Sequence, residues 1–549
     1  LAVRRALVVA LAFAALASCR HGSVPAGTKT KPKLVVLVVI DQWPSWAFEK
    51  QKDLFNRGIG RLLKEGGVVH EAELPYGNPF TAPGHAVLAT GAMPREHGIV
   101  GNTWWRRDAQ AELPAERDPE GTVFSVGPPL NGAKIEDGVS GKMLRVEGIA
   151  DALRTQTGGA GKSVAISFKA RSAALVAGRK PDLAVWYDPG AGGMTTSKAY
   201  VDQAPAWLEK MAKDSPVSKF FTAVWDARDP VMYEEVTDIP DDAKGERTDL
   251  GFDVRFPHEM EKTEHPEHAI VETPFADRVV SRTVAVAIDA MELGRDNVPD
   301  FLAISYSAHD YIGHNWGPDS WESLDDTMRL DSELGELFDS LDTRIGAGNW
   351  ALIVTSDHGA TPIVERARLR SARRILPSEI EQTADKAIAQ LLGGGPWVAK
   401  QTSNTIYMTP KFVALPEVQK NEALEAAVDA LKQVPGIALA GRTDRFSKDC
   451  TVEKDLFKAM CNAHVPGESG ELYAVATAGS LITGYKAGTA HDAPFDDNRR
   501  VPILIKAPGV KPQEGEGTLL QVAPTLAALL GIDPPAAATA PTLFKIQKR

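Results

Sequence analysis

With 549 residues, 43% of them apolar and 24% charged, the chain has the make-up of a large globular protein, which excludes a disordered polymer and a polytopic membrane protein. Sixty-one lysines and arginines stand against 72 aspartates and glutamates, a net charge of -11 with no basic block, so nucleic acid is excluded as a partner. At about 150 residues per domain the length allows three or four domains.

Residues 1–19 form a separate unit. Arg4 and Arg5 precede an apolar run over 6–16 that is too short to span a bilayer, the pattern of an export signal. The unit ends in Leu16, Ala17, Ser18 and Cys19, which resembles the lipobox of bacterial lipoproteins; an ordinary cleaved signal peptide is the alternative. A lipobox implies an exported, periplasmic lipoprotein that touches the membrane only through a lipid anchor at Cys19. Residues 20–32 are rich in Gly, Pro, Thr and Lys without apolar period, as in a tether, and 33–549 remain for the folded domain.

Five short apolar runs predict strands buried on both faces of a parallel sheet: 34–40, 164–168, 301–306, 351–354 and 501–505. Helical spacing separates them at 149–155, 277–293, 320–341 and 519–530. This alternation predicts an α/β fold, in which ligands bind beyond the carboxyl ends of the strands. Chemistry-bearing residues follow the runs: Asp41 the first, Lys169 the second, Asp310 the third, Asp357 and His358 the fourth, while His491 lies shortly before the fifth. One aspartate after a strand is ordinarily a turn residue or a helix cap. Two Asp/His pairs, Asp310 with His314 and Asp357 with His358, together with Asp41 and His491, make six oxygen and imidazole ligands, a set suited to two zinc ions.

Between the first two strands, residues 78–102 read NPFTAPGHAVLATGAMPREHGIVGN. TAPGHAVLATG, opening at Thr81, with Asn102 in HGIVGN, resembles the nucleophile region of the alkaline phosphatase superfamily. DQWP at Asp41, SFKAR at Lys169 and Arg171, HDYIGHNWGP at Asp310, SDHGA at Asp357 and GTAHDAP at His491 follow in that family's order. The nearest likeness is to its phosphate-irrepressible, PafA-type phosphomonoesterase branch, from about residue 33 to the C-terminus. The resemblance implies an alkaline phosphatase-like core with a mostly parallel central sheet flanked by helices. It further implies an alkaline phosphatase that hydrolyses monoesters of small phosphorylated metabolites through a covalent phosphothreonine. Asp41, Asp357 and His358 would hold one zinc with Thr81 at its open position, and Asp310, His314 and His491 the other. A threonine hydroxyl is a poor nucleophile at neutral pH and needs such a Lewis acid.

Lys169 and Arg171 would read in isolation as a solvated basic rim. In the resembled family they contact the phosphoryl group with Asn102, and two added cations favour the dianion of a monoester over the monoanion of a diester. The threonine phosphodiesterases of the superfamily lack this pair and form the alternative reading; a non-catalytic lipoprotein that binds phosphorylated ligands is a distant third. Sulfatases need Cys or Ser where Thr81 stands. His85, His97 and His309 lie near the motifs without a ligand role.

Two long intervals exceed a minimal sheet. Residues 103–146, with Trp104, Trp105 and many Pro and Gly, predict a cap over the site, and 366–485 predict an inserted α+β subdomain with a helix over 421–431. The second interval carries Cys450 and Cys461, which an oxidising compartment would pair in a disulfide. A zinc pair assisted by His464 is the alternative.

Overall fold

The computed structural model describes residues 31–545 except 249, 368, 370, 448, 449 and 452–454. The expected signal segment, Cys19 and most of the tether lie outside the described residues, among which no helix is long and apolar enough to cross a membrane.

Nine strands make the central sheet: β1 (Leu34–Ile40), β2 (Gly67–Glu73), β3 (Ser163–Ser167), β4 (Leu183–Asp188), β5 (Gly193–Thr195), β6 (Asp300–Tyr306), β7 (Trp350–Thr355), β8 (Arg500–Lys506) and β9 (Gln513–Gly515). Their order is β9-β2-β8-β7-β1-β6-β3-β4-β5. The middle of the sheet, β7-β1-β6-β3-β4, is parallel throughout. At its centre β1 reads LVVLVVI, and its branched side chains alternate between two apolar layers. Leu34, Val36, Val38 and Ile40 face one cluster, and Val35, Leu37 and Val39 face the other.

Helices cover both faces: α1 (Thr81–Thr90), α2 (Ile149–Gln156), α3 (Ala170–Ala177), α4 (Pro274–Ala290), α5 (Ala308–Trp316), α6 (Trp321–Leu341) and α7 (Val522–Leu530). Val279, Val280, Leu330, Leu334 and Phe338 of α4 and α6 pack on the first face, whereas Val87, Leu153, Ala173 and Leu526 pack on the second. The predicted helix over 277–293 is displaced to Pro274–Ala290, because proline is favoured in a first turn where its missing N–H is no loss. The predicted helix over 519–530 opens as a 3-10 turn, Leu519–Gln521, before α7.

One expectation is corrected. Run 501–505 forms β8, but β8 is antiparallel to β7 on one side and β2 on the other. Only residues 492–499 separate His491, at the carboxyl edge of the parallel strands, from Arg500, too few for a crossover of a dozen or more residues. The chain therefore turns at that edge and runs back.

Residues 103–146 include a hairpin, Thr103–Arg106 against Ala111–Pro114, and Trp104 is fully buried with Ala82, Ile99, Val100 and Tyr407. Within 366–485, Val398–Thr402, Thr405–Met408, Leu472–Ala476 and Ile437–Arg442 form an antiparallel sheet in that order. Helices Pro377–Leu392 and Glu417–Leu431 close a separate apolar core over it.

Cys450 and Cys461 are joined with Cα atoms 5.6 Å apart, so no thiolate is left for a metal beside His464. Cross-linking a loop of this length stabilises the fold by about 3 kcal/mol on chain-entropy grounds. The double Ser variant is expected to lose about that much in denaturant unfolding. Thiol labelling of the unreduced, denatured chain leaves both sulfurs untouched, and modification of both would overturn the bridge.

Candidate active site

The parallel strands deliver their following residues to one edge. Asp41 comes directly after β1, and Asp357 and His358 two and three residues after β7. Asp310 sits in the first turn of α5 with His314 one turn on, so both face the same side. Lys169 caps α3 after β3, Thr81 opens α1, and His491 arrives on the loop before β8. Gly84 lets α1 approach: a Cβ there would stand 2.4 Å from the Asp357 carbonyl oxygen.

Three imidazoles are oriented alike. His358, His314 and His491 each donate Nδ1–H to a backbone carbonyl, of Gly359 at 2.9 Å, Thr489 at 2.7 Å and Pro79 at 2.6 Å. Each Nε2 lone pair therefore faces the centre. His358 Nε2 lies 3.4 Å from both Asp41 Oδ1 and Asp357 Oδ2 and 3.3 Å from Thr81 Oγ1. His314 Nε2 and His491 Nε2 lie 3.3 Å and 3.6 Å from Asp310 Oδ1. The rings of His358 and His491 stack at 3.8 Å.

Ligand atoms of Asp41, Asp357 and His358 lie within 4.8 Å of one another, as do those of Asp310, His358 and His491. His358 is thus common to both clusters. His314, the more exposed imidazole, lies 3.3 Å from Asp310 Oδ1 but outside both of these groups.

Lone pairs aimed at carboxylates repel unless a cation lies between them. Asp41 Oδ1 is buried without a hydrogen bond. Asp357 Oδ2 likewise lacks one, although His85 Nδ1 is at ion-pair distance, 3.0 Å. The donor set, three carboxylates and three imidazoles, fits divalent zinc. Burial, then Asp357, raises Asp41 to about 6 against the opposing pull of Lys169. Burial also acts to raise Asp310, but Lys169 and His314 outweigh it and hold that carboxyl well below its ordinary range. Burial and then His491 keep His358 neutral, its pKa pushed well down.

The cation pair is divided. Lys169 is buried, its Nζ donating to Asp41 Oδ2 at 2.9 Å and to Asp310 Oδ2, 4.5 Å from the Tyr311 ring centre. Arg171 faces a cavity beside the centre, 3.7 Å from Glu116 Oε1, with its buried Nε unbonded. Asn102 Oδ1 accepts from the Ala82 amide at 2.8 Å, which fixes its side chain against the first turn of α1 and leaves its NH2 as donor.

Some contributors carry no signal of their own in the sequence. Gln42 donates Nε2–H to Asp310 Oδ1 at 2.6 Å, and its backbone amide reaches Asp357 Oδ1 at 3.3 Å. Its only clue is adjacency to Asp41. His85 backs Thr81 and Asp357, with Nδ1 2.9 Å from the Thr81 carbonyl and Nε2 2.9 Å from Ser305 Oγ. His309 turns away to Asp326, 3.0 Å, and His97 is a buried core residue whose burial lowers it to about 3.

The type I phosphodiesterase / nucleotide pyrophosphatase family matches residues 35–500. An alkaline phosphatase of Synechococcus elongatus, PhoV, is 31% identical over 521 residues, covering 92% of either chain. Alkaline phosphatase PafA of Elizabethkingia meningoseptica is 26% identical over 525 residues, covering 94% of either chain. The crystal structure of wild-type alkaline phosphatase PafA is similar with a TM-score of 0.85 at 26% identity, covering 94% of this chain and 99% of that one.

Proposed function

The chain belongs to the type I phosphodiesterase / nucleotide pyrophosphatase family, and from that membership and the site's geometry we propose that it is an exported, zinc-dependent alkaline phosphatase that hydrolyses phosphate monoesters through a phosphothreonine at Thr81. The observation that carries this reading is Thr81 Oγ1 beside His358 Nε2, at the point where two ligand clusters meet. Relatives named alkaline phosphatase cover nearly their whole length with this chain, which supports a hydrolase of phosphoric monoesters.

Asp41, Asp357 and His358 hold one zinc, and Asp310, His314 and His491 the other. When bound, the two ions supply Lewis acidity that lowers the cost of negative charge on the attacking and leaving oxygens. Thr81 Oγ1, its proton lost to water, attacks phosphorus, and its O–P bond forms as the bond to the alcohol oxygen breaks. The alcohol departs with a proton from water. A second water then attacks phosphorus from the vacated side, the Thr81 oxygen leaves and takes up a proton, and inorganic phosphate is released. The Asn102 amide and the Arg171 guanidinium hold the non-bridging oxygens, while Lys169 adds positive charge and keeps Asp41 and Asp310 in place.

Phosphodiester hydrolysis is the second reading, favoured by the family's own description. The Lys169 and Arg171 pair weighs against it. The lipobox-like run ending at Cys19 supports export to the periplasm and lipid anchoring there.

Purified protein is expected to carry close to two zinc ions per chain by elemental analysis, with turnover abolished by chelation and restored by zinc. Active protein with a metal content near zero would overturn the metal assignment.

A further inference from the structure

Beside the reaction centre lies a cavity of about 200 Å³ whose inner wall is Lys169 and Arg171. Its outer wall is mainly acidic: Glu116, Glu136 and Glu267, together with Tyr187 and with His268, whose Nε2 lies 3.8 Å from Glu267 Oε1. Glu267 is committed, its Oε2 accepting from Asn131 at 2.7 Å and its Oε1 3.2 Å from His265 Nδ1. Glu116 is not: its Oε1 lies 3.7 Å from Arg171, and its buried Oε2 has no hydrogen bond among the described residues. Glu136 stands at the exposed rim. Partial burial of its carboxyl, followed by Asp188 and Glu116, pushes it up to about 7 against Arg171, as befits an acid short of counter-charge.

Among the described residues that line the cavity, Arg171 is the Lys or Arg cation not engaged by Asp41 and Asp310. A phosphoryl dianion held by Arg171 draws the guanidinium from Glu116 and leaves the outer wall under-compensated. A positive charge on the ester's alcohol restores the balance.

We propose that this cavity is the alcohol subsite and that Glu116 and Glu136 select phosphate monoesters whose alcohol carries a cation over those whose alcohol is neutral. The proposal rests on the phosphatase reading above. Both acids are supplied by the interval 103–146, so on this proposal that interval acts in selectivity.

The test compares phosphocholine with 3,3-dimethylbutyl phosphate, which has the same shape with carbon in place of the charged nitrogen, and includes an aryl phosphate as reference. In the wild type kcat/KM is expected to favour phosphocholine by about tenfold, the effect of one partly buried charge pair. Glu136→Gln reduces the ratio towards one and Glu136→Lys inverts it, each ratio being taken within one variant so that a general change in turnover cancels; because Glu136 is at the rim, at least the Gln variant folds. A wild-type ratio near one, or a ratio that Glu136→Lys leaves alone, would overturn the subsite while the phosphatase stands. Failure of the wild type to hydrolyse the aryl phosphate would overturn the phosphatase reading and the subsite with it.

Discussion

Replacing Thr81 with alanine is expected to lower kcat/KM for phosphate monoesters by about a thousandfold or more. Fold and zinc content should hardly change. Thr81 is the first residue of α1, but its hydroxyl caps nothing there, since the N-cap position belongs to Phe80 and no side-chain cap is formed. Its Oγ1 instead points to His358 Nε2. Removing that oxygen takes away the attacking atom and leaves the six ligands in place, so thermal unfolding and elemental analysis should match the wild type. Acid quenching during turnover of labelled substrate should trap phosphothreonine in the wild type and none in the variant, while Thr81→Ser retains a hydroxyl and substantial activity. An alanine variant with near wild-type turnover would mean that water attacks phosphorus directly.

Removal of both cations is the second large effect. Lys169→Ala with Arg171→Ala should lower monoester kcat/KM by several orders of magnitude and diester kcat/KM far less, so that the preference for monoesters collapses. Each charge-assisted hydrogen bond to the dianion contributes about 1.5 to 3 kcal/mol, and a diester carries an organic group in place of one of those charged oxygens. The structure separates the two contributions. Arg171 touches no metal-type ligand, so Arg171→Ala alone should cost a monoester about tenfold to a hundredfold and a diester little. Lys169 also neutralises Asp41 and Asp310, and its loss should therefore weaken both reactions. Equal losses for both substrates in the double variant would assign the pair to general electrostatics and favour the phosphodiesterase reading.

A strand covered by helices on both faces can only be an uninterrupted apolar run, because either face of its pleat meets an apolar layer. For that reason β1, β3, β6, β7 and β8 were legible to within a residue or two. β4 was not singled out, although its LAVWYD is as long as β7 and equally buried. β2 carries His70, Glu71 and Glu73 and lacks the signal altogether. The candidate ligands stood out through chemistry: aspartates and histidines are poor core residues, and five of them placed after apolar runs, with His491 before the last run, have few structural uses.

Sequence alone determined the α/β class, through the burial of apolar runs, and it offered the candidate ligands through residue type after those runs and the candidate nucleophile through the resemblance of the segment that opens at Thr81. Tertiary structure decided everything that depends on distance between remote segments. It set the strand order, the reversed direction of β8, the sharing of His358 between two clusters, and the parting of Lys169 towards Asp41 and Asp310 from Arg171 towards Glu116. Asp41 and Asp357 stand 316 positions apart in the chain, and no local periodicity records that β1 and β7 lie side by side and bring both carboxylates to one imidazole nitrogen.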